Sequence, residues 1–157
     1  DVKQLLGTLI MRYNQNVIIK NYDFNKVKES FHNIEIVKFL TRFQPVKIIH
    51  WSGITNGEKA HFKLWLLGWK NFKVEHKEYK SEENQLFFID KGIELPLGIT
   101  CWEHKHIVKK MNKNTLIQDQ VYFNHSNKYI GYLLFPVLMF PIIIRKLFYR
   151  LYFINKP

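Results

Sequence analysis

Alternating apolar and polar residues dominate the middle of the chain and predict a succession of β-strands. The alternation is clear in Lys59–Leu67, where Phe62 and Leu64 fall on the same face. Turn signals separate the strands, most clearly Asn56-Gly57, because Asn-Gly is the dipeptide that tight hairpins prefer. The predicted strands are Thr8–Lys20, Val46–Trp51, Lys59–Leu67, Trp69–Tyr79, Gln85–Lys91, Ile99–Met111 and Thr115–Asn124.

Three other segments show helical spacing or carry an N-cap residue ahead of an apolar run. In the first of them, Phe24, Val27 and Phe31 form one apolar stripe. The last is about 26 residues long and would span about 39 Å at 1.5 Å per residue. The predicted helices, each with its cap, are Phe24–Phe31 after Asp23, Ile34–Thr41 after Asn33, and Lys128–Phe153 after Asn127.

The order of these elements is strand, two short helices, six strands and a long helix. Successive strands with helices segregated to one side are typical of an α+β fold built on an antiparallel sheet. A single helix cannot cover seven flat strands, so we expect the sheet to curl and leave a hollow beneath the C-terminal helix. The 157 residues form one predicted domain, 1–157, since there is neither an internal repeat nor a linker of low complexity.

Polar residues fall on the faces of three predicted strands that should line this hollow. Trp102, His104 and His106 alternate and therefore share a face. Asp119 lies on an otherwise apolar face of the next strand, and Asp90 closes the preceding one. Three interpretations are open: a hydrogen-bonded structural cluster, a site that orients a ligand, or zinc binding or acid–base catalysis by the histidines and Asp119.

The net charge of +11 raises the question of an anionic partner. The 24 basic residues are mostly scattered lysines, whereas proteins that read nucleic acids use arginine for bidentate contacts, so nucleic-acid binding is not expected. Cys101 is the only cysteine, so the fold needs no disulfide. With no apolar signal region at the start of the sequence, we expect a cytoplasmic protein, with peripheral attachment to a membrane as an alternative.

The predicted C-terminal helix is unusual because Tyr129–Ile144 carries no charge. A membrane span is one interpretation, but this stretch is shorter than the roughly 20 residues that a span needs, and Pro136 and Pro141 interrupt it. Alternatively, the helix is a lid over the hollow, and its outer side contacts a membrane surface or a second copy of the chain through residues 129–150. Basic residues near its end, Arg145, Lys146 and Arg150, would then face anionic lipid.

Four local signatures, at Phe88–Gly92, Trp102–His106, Thr115–Asp119 and Arg145–Arg150, carry a family resemblance. They resemble the START and birch-pollen-allergen (SRPBCC) superfamily, and in particular a bacterial subgroup of ligand-binding proteins. The resemblance covers about residues 43–153 and implies a helix-grip fold, in which a curved seven-stranded antiparallel sheet wraps around a long C-terminal helix. It also implies binding or transport of a hydrophobic molecule or lipid, and in some branches cyclase or hydrolase chemistry. The signatures are Phe88-Ile89-Asp90-Lys91-Gly92, Trp102-Glu103-His104-Lys105-His106, Thr115-Leu116-Ile117-Gln118-Asp119 and Arg145-Lys146-Leu147-Phe148-Tyr149-Arg150.

We therefore expect a binder of a hydrophobic small molecule or lipid that needs no cofactor and no metal. A polyketide-cyclase-like enzyme that uses His104 or His106 with Asp119 is the first alternative, and a protein held at a membrane by its C-terminal helix is the second. The polar contacts of the ligand are expected from His104, His106 and Asp119. The expected apolar walls are Phe62, Leu64, Trp102, Tyr122, Leu133, Val137 and Phe140.

Overall fold

The structure is a computed structural model and describes residues 10–154. Its elements follow the predicted order, with a first strand, two short helices, six more strands and a helical C-terminal segment. They are β1 Met11–Ile19, α1 Phe24–Phe31, α2 Ile34–Thr41, β2 Val46–Trp51, β3 Lys59–Trp65, β4 Trp69–Ser81, β5 Gln85–Glu94, β6 Ile99–Met111, β7 Asn114–His125, α3 Lys128–Ile143 and α4 Arg145–Ile154.

The seven strands form one antiparallel sheet in the order β1-β7-β6-β5-β4-β3-β2. Each strand pairs with its neighbour in the chain except β1, which crosses over to pair with β7. The pairing register shifts in β2–β3, in β4–β5 beside Glu78, and at the start of β6. Such bulges bend a sheet and increase its twist, and the sheet curves around one layer of helices. The α+β helix-grip architecture expected from the sequence is confirmed.

Strand ends are where the structure departs from the predicted boundaries. β5 extends through Gly92 to Glu94, beyond the predicted end at Lys91. The polar stretch in β1 is not a bulge, because its register with β7 is continuous from Met11 to Ile19. Its alternation instead places Asn14 and Asn16 on the exposed face of an edge strand. The start of the predicted first strand, at residues 8 and 9, lies outside the described residues.

The three predicted caps are present and fix where the helices begin. The Asp23 carboxylate accepts a hydrogen bond from the backbone N–H of Lys26, at 3.1 Å. Asn33 accepts one from Glu35 N–H, and Asn127 accepts from Tyr129 and Ile130 N–H. Each cap satisfies a donor that has no partner within its own helix.

The long C-terminal helix is interrupted at Ile144 and forms two helices, α3 and α4, rather than the single predicted helix Lys128–Phe153. Pro141 removes a backbone donor from the last turn of α3, which weakens the helix at this point. The backbone N–H of Ile144 still bonds to Phe140, and that of Phe148 bonds to Ile144, so the axis continues after the break. The interruption turns Arg145, the first residue of α4, toward the interior of the fold.

Two apolar clusters fill the space between the sheet and the helices. The first joins α1, α2 and α4 to the sheet around Phe31, Phe88 and Tyr149. The second lies beneath α3 and contains Trp102, Phe123 and Met139 among its buried members. Between them runs a row of polar side chains that crosses the concave face.

Candidate functional site

Strand pairing places six polar residues in one row on the concave face of the sheet, which we call the polar row. Asp90 of β5 lies opposite His76 of β4 on one side and His104 of β6 on the other. Asp119 of β7 lies opposite His106 of β6 and Gln15 of β1. The polar row is therefore Gln15, His76, Asp90, His104, His106 and Asp119, contributed by five adjacent strands.

Two imidazole rings lie between two carboxylates at the centre of the polar row. His104 donates from Nε2 to Asp119 Oδ1 at 2.8 Å, and His106 donates from Nε2 to Asp90 Oδ2 at 2.9 Å. The other nitrogen of each ring faces the opposite carboxylate: His104 Nδ1 lies 4.0 Å from Asp90 Oδ2, and His106 Nδ1 lies 3.6 Å from Asp119 Oδ1. The ring centroids are 3.8 Å apart. Each imidazole thus has one nitrogen toward Asp90 and one toward Asp119.

The outer members of the polar row hold these carboxylates in place. Gln15 donates from Nε2 to Asp119 Oδ2 at 2.8 Å and to the Ile142 carbonyl at 2.7 Å, which ties α3 to the site. His76 donates from Nδ1 to the Glu58 carbonyl, and its Nε2 lies 3.1 Å from Asp90 Oδ1. Both ring nitrogens of His76 face oxygen acceptors, an arrangement that suits the doubly protonated ring.

Burial and charge set the protonation of the central groups. Desolvation, with the nearby charge of His106, lowers the pKa of His104 to about 4, so this ring is neutral near pH 7. Desolvation opposes ionisation of Asp119, but the hydrogen bond from His104 and the positive charge of Arg145 outweigh it and lower the pKa of this carboxyl. For Asp90, the contributions of His106 and His76 outweigh desolvation in the same way and hold its pKa well below the ordinary value. Both carboxylates are therefore ionised within the fold.

Three cationic or phenolic groups surround these carboxylates. Burial lowers the pKa of His76, but the hydrogen bond and charge of Asp90 exceed that effect and raise it overall. Arg145 is desolvated, yet its guanidinium stays charged because the neighbouring Tyr149, Asp119 and Asp90 raise its pKa. Burial raises the pKa of Tyr149, and Asp119 adds to that rise, so its hydroxyl remains protonated.

Two small cavities lie against the polar row. The first, of ≈ 70 Å³, borders His76, Asp90 and His106 on one side and apolar residues of α1, α2 and β3 on the other. The second, of ≈ 90 Å³, borders Asp90 and His104 and extends beneath α3 to Leu138. Asp90, Arg145 and Phe62 are common to both linings. We call these two spaces together the inner cavity.

An apolar groove on the surface adjoins the inner cavity. It has a volume of ≈ 260 Å³ and lies between α3 and the β2–β3 edge of the sheet. Leu64, Leu138 and Pro141 line both the groove and the inner cavity, so these side chains form the wall between them. The remaining lining of the groove includes Val137 and Phe140 of α3.

Several of the residues predicted for the site do line the inner cavity. They are Phe62, Leu64, Trp102, His104 and His106. Asp119 lies behind the two histidines and is fully buried. The structure therefore brings together the predicted polar residues and three of the four wall residues predicted on strands, Phe62, Leu64 and Trp102.

Tyr122 was predicted as a wall residue, and this is wrong. The inward face of β7 is formed by Ile117, Asp119, Val121 and Phe123, so the strict alternation turns Tyr122 to the outer face. There its ring lies beneath the cations of Arg12 and Lys105.

The residues of α3 that were predicted to line the cavity do not line it, because a different side of the helix faces the sheet. Leu133 is 73% exposed and lies away from the inner cavity. Val137 and Phe140 line the outer groove. The inward side of α3 is formed instead by Gly131, Leu138, Met139 and Ile142. With no polar face in the sequence, nothing in the pattern indicates which side of this helix is buried.

Four residues of the site were not predicted from the sequence: Gln15, His76, Arg145 and Tyr149. Gln15 and His76 each occupy an inward position in the alternation of their strands, and that signal was available. Arg145 was assigned to a basic surface near the helix end. Its inward orientation depends on the interruption at Ile144, which the sequence pattern does not show.

No protein-family model matches the chain, and no curated protein matches its sequence. Solved structures do match its fold. Norcoclaurine synthase from Thalictrum flavum, solved in complex with dopamine and hydroxybenzaldehyde, superposes with a TM-score of 0.66 at 12% identity, covering 96% of this chain and 90% of that chain.

Two further structures show the same likeness. The ginseng major latex-like protein 151 from Panax ginseng has a TM-score of 0.53 at 15% identity, with coverage of 85% of this chain and 97% of that chain. A hypothetical protein from Helicobacter pylori has a TM-score of 0.55 at 20% identity, with 77% and 74% covered. These comparisons show that the chain shares the helix-grip fold of these structures.

Proposed function

We propose that this helix-grip protein binds a small apolar molecule in the inner cavity, between the concave face of the sheet and helices α3 and α4. The observation that carries the proposal is the composition of the cavity wall, which is mostly apolar and has a small set of polar members: residues of the polar row, together with Arg145, Thr41 and Gln44. Binding sites for small molecules combine these two features, because apolar surface supplies affinity and a few fixed polar groups orient the ligand. Norcoclaurine synthase, which has the same fold, was solved in complex with dopamine and hydroxybenzaldehyde and provides a precedent for binding small aromatic molecules.

The size of the inner cavity limits what it accepts without rearrangement. Its two parts measure ≈ 70 and ≈ 90 Å³, whereas an apolar cavity of about 150 Å³ can hold a benzene-sized guest. A larger ligand requires Leu64 and Leu138 to move apart and join the cavity to the outer groove. Because Pro136 and Pro141 remove backbone hydrogen bonds from α3, this helix is the element most easily displaced.

Native mass spectrometry of the purified protein, followed by solvent extraction, tests this proposal. A bound apolar molecule at one per chain supports it, and its mass defines the ligand class. A matched pair of variants then locates the site: Leu64→Trp fills the inner cavity, whereas Tyr122→Trp alters only the outer face. Retention of the ligand by Leu64→Trp to the same extent as by Tyr122→Trp would contradict the location.

We also propose that the protein works at a membrane surface, which gives an apolar ligand a source. Within residues 10–154, one helical segment, Lys128–Ile154, is long and apolar enough to cross a membrane, with a mean hydropathy of 1.8 over its most apolar 18 residues. Only 22% of its most apolar 18-residue window is buried against the rest of the fold. Tyr129 and Leu133 are both more than 70% exposed. Contiguous exposed apolar surface of this kind marks a contact site.

The exposed apolar surface continues from α3 onto one end of the sheet, which we call the hairpin end. The turn between β3 and β4 lies there, with Leu67 92% exposed between the partly exposed Trp65 and Trp69. Phe43, also 92% exposed, precedes β2 at the same end. Tryptophan is favoured at the membrane–water interface, which is where this proposal places the turn.

The charge around the hairpin end favours anionic lipid over a second copy of the chain. Lys63 and Lys70 lie on the two strands beside the turn, and residues 61–72 contain no carboxylate. Lys73, one residue further along β4, forms an ion pair with Glu94. Lys47 of β2 lies 4.1 Å from the centre of the Trp69 ring. A second copy would bring like charges together, whereas anionic lipid attracts juxtamembrane lysines by about 1 kcal/mol each.

Sedimentation with vesicles tests the membrane proposal. We expect the protein to bind phosphatidylcholine vesicles that contain phosphatidylglycerol, and to bind more weakly at high salt. Leu67→Ser should weaken the binding, whereas Met111→Ser, which changes an exposed apolar residue at the opposite end of the sheet, should not. Equal binding by the two variants would contradict the proposal. A concentration-dependent dimer that Leu67→Ser dissociates, without vesicle binding, would identify the surface as a homodimer interface instead.

A further inference from the structure

The polar row contains a cluster of potential metal ligands that the proposed binding of an apolar molecule does not require. Within residues 10–154, Asp90, His104 and His106 each offer a ligand atom, and these atoms lie within 4.8 Å of one another. His106 is 6% exposed, and its Nδ1 is buried with no hydrogen-bond partner. We propose that Asp90, His104 and His106 bind a divalent first-row metal ion such as Zn²⁺, with the metal facing the inner cavity.

The ligand atoms are close to the separation that a tetrahedral zinc ion imposes. Zn–N and Zn–O bonds of about 2.1 Å place the ligand atoms about 3.4 Å apart. Asp90 Oδ2 lies 2.9 Å from His106 Nε2 and 4.0 Å from His104 Nδ1, on either side of that value. Small side-chain rotations therefore suffice to form the site.

On each histidine, the ring nitrogen that faces away from the proposed metal lies near a carboxylate, as it does in known metal sites. A histidine that binds a metal through one nitrogen usually donates from the other nitrogen to a carboxylate or a carbonyl, which fixes the ring. Asp119 Oδ1 occupies this position for both rings, at 2.8 Å from His104 Nε2 and 3.6 Å from His106 Nδ1. A metal on His106 Nε2 would place the proton on Nδ1, and that nitrogen would gain Asp119 as its acceptor.

Asp90 and Asp119 differ in their exposure to the inner cavity, and the difference suits one to bind the metal and the other to position the histidines. Asp119 has no exposed surface, and Gln15 occupies its second oxygen. The Asp90 side chain is 18% exposed and borders both parts of the inner cavity, with His76 beside its Oδ1. Asp90 is thus the metal ligand, and Asp119 positions the two histidines. Two imidazoles and one carboxylate suit zinc and other first-row metals rather than calcium or magnesium.

Titration of chelator-treated protein with Zn²⁺, followed by calorimetry, tests the proposal independently of any apolar ligand. We expect one ion per chain and a more than tenfold loss of affinity in Asp90→Asn and in His106→Gln. The control is His50→Gln, because His50 lies opposite His61 on the exposed part of β2 and β3 and could hold a metal at the surface. Unchanged affinity in His50→Gln supports the buried site, and loss of binding in this variant overturns it.

X-ray absorption of the zinc complex of His50→Gln, in which the surface histidine pair is broken, keeps the test decisive if the cluster variants do not fold. The proposal requires two imidazole nitrogens and at least one oxygen at about 2.0–2.2 Å from zinc. A spectrum without imidazole scattering, or the absence of stoichiometric zinc binding to the wild-type protein, would overturn the proposal. Failure to find an apolar ligand would leave these results unaffected, so the two proposals are tested separately.

Discussion

Replacing Asp119 with asparagine should be among the most destabilising isosteric changes in the described part of the chain. The carboxylate is completely buried and accepts from His104 Nε2 and Gln15 Nε2, both at 2.8 Å. An amide has one oxygen, so one of these donors would face an N–H₂ group. The guanidinium of Arg145 would also lose a neighbouring negative charge. Removal of one partner from a buried charged pair costs about 3–5 kcal/mol.

Equilibrium unfolding in urea, monitored by tryptophan fluorescence, measures this cost. A loss of about 3–5 kcal/mol corresponds to a fall in melting temperature of roughly 6–20 °C for a domain of this size. The matched control is Glu35→Gln, which makes the same carboxylate-to-amide change on an exposed helical pair with Lys38. That pair is worth at most about 0.5 kcal/mol. If Asp119→Asn unfolds at the same urea concentration as Glu35→Gln, the hydrogen bonds of Asp119 in the polar row contribute little to the free energy of unfolding, which contradicts the prediction.

The remaining predictions concern protonation, packing and capping. In chelator-treated protein, the pKa of His104 is about 4 when folded and near 6.5 when unfolded, so the unfolded chain takes up this proton first as the pH falls. The free energy of unfolding should therefore fall by about 3 kcal/mol between pH 6.5 and pH 4. The fall should be smaller in His104→Gln. Leu138→Ala should cost about 2–5 kcal/mol and, because Leu138 separates the inner cavity from the groove, should accelerate uptake of a fluorescent apolar probe. Asp23→Ala should lower stability by about 1 kcal/mol through loss of the cap on Lys26 N–H, as measured by thermal unfolding.

The sheet was largely predictable because alternation and turn chemistry are local signals. Ile99–Met111 was predicted with its observed boundaries, and Asn56-Gly57 marks the connection between β2 and β3. The same alternation placed His104, His106 and Asp119 on inward faces, which the structure confirms. Applied strictly, it also excludes Tyr122 from the interior.

The orientation of α3 was not predictable, for a physical reason. An amphipathic helix reveals its buried side by contrast with a polar face, as α1 does with Phe24, Val27 and Phe31. Tyr129–Ile144 offers no such contrast, so Leu133 and Val137 could not be distinguished from Leu138 and Met139, which the fold buries. Gly131 shows which side of α3 the fold buries, since a Cβ atom there would lie 2.6 Å from Met11 Cε and 3.1 Å from His125 Cβ.

Uptake of a small fluorescent apolar probe by the delipidated protein shows whether the inner cavity binds an apolar molecule. The comparison is between Leu64→Trp and Tyr122→Trp, which add the same side chain on opposite faces of the sheet. We expect saturable binding at one probe per chain, lost in Leu64→Trp and retained in Tyr122→Trp. Binding that is equal in both variants, or absent from the wild-type protein after purification without a ligand, would contradict it.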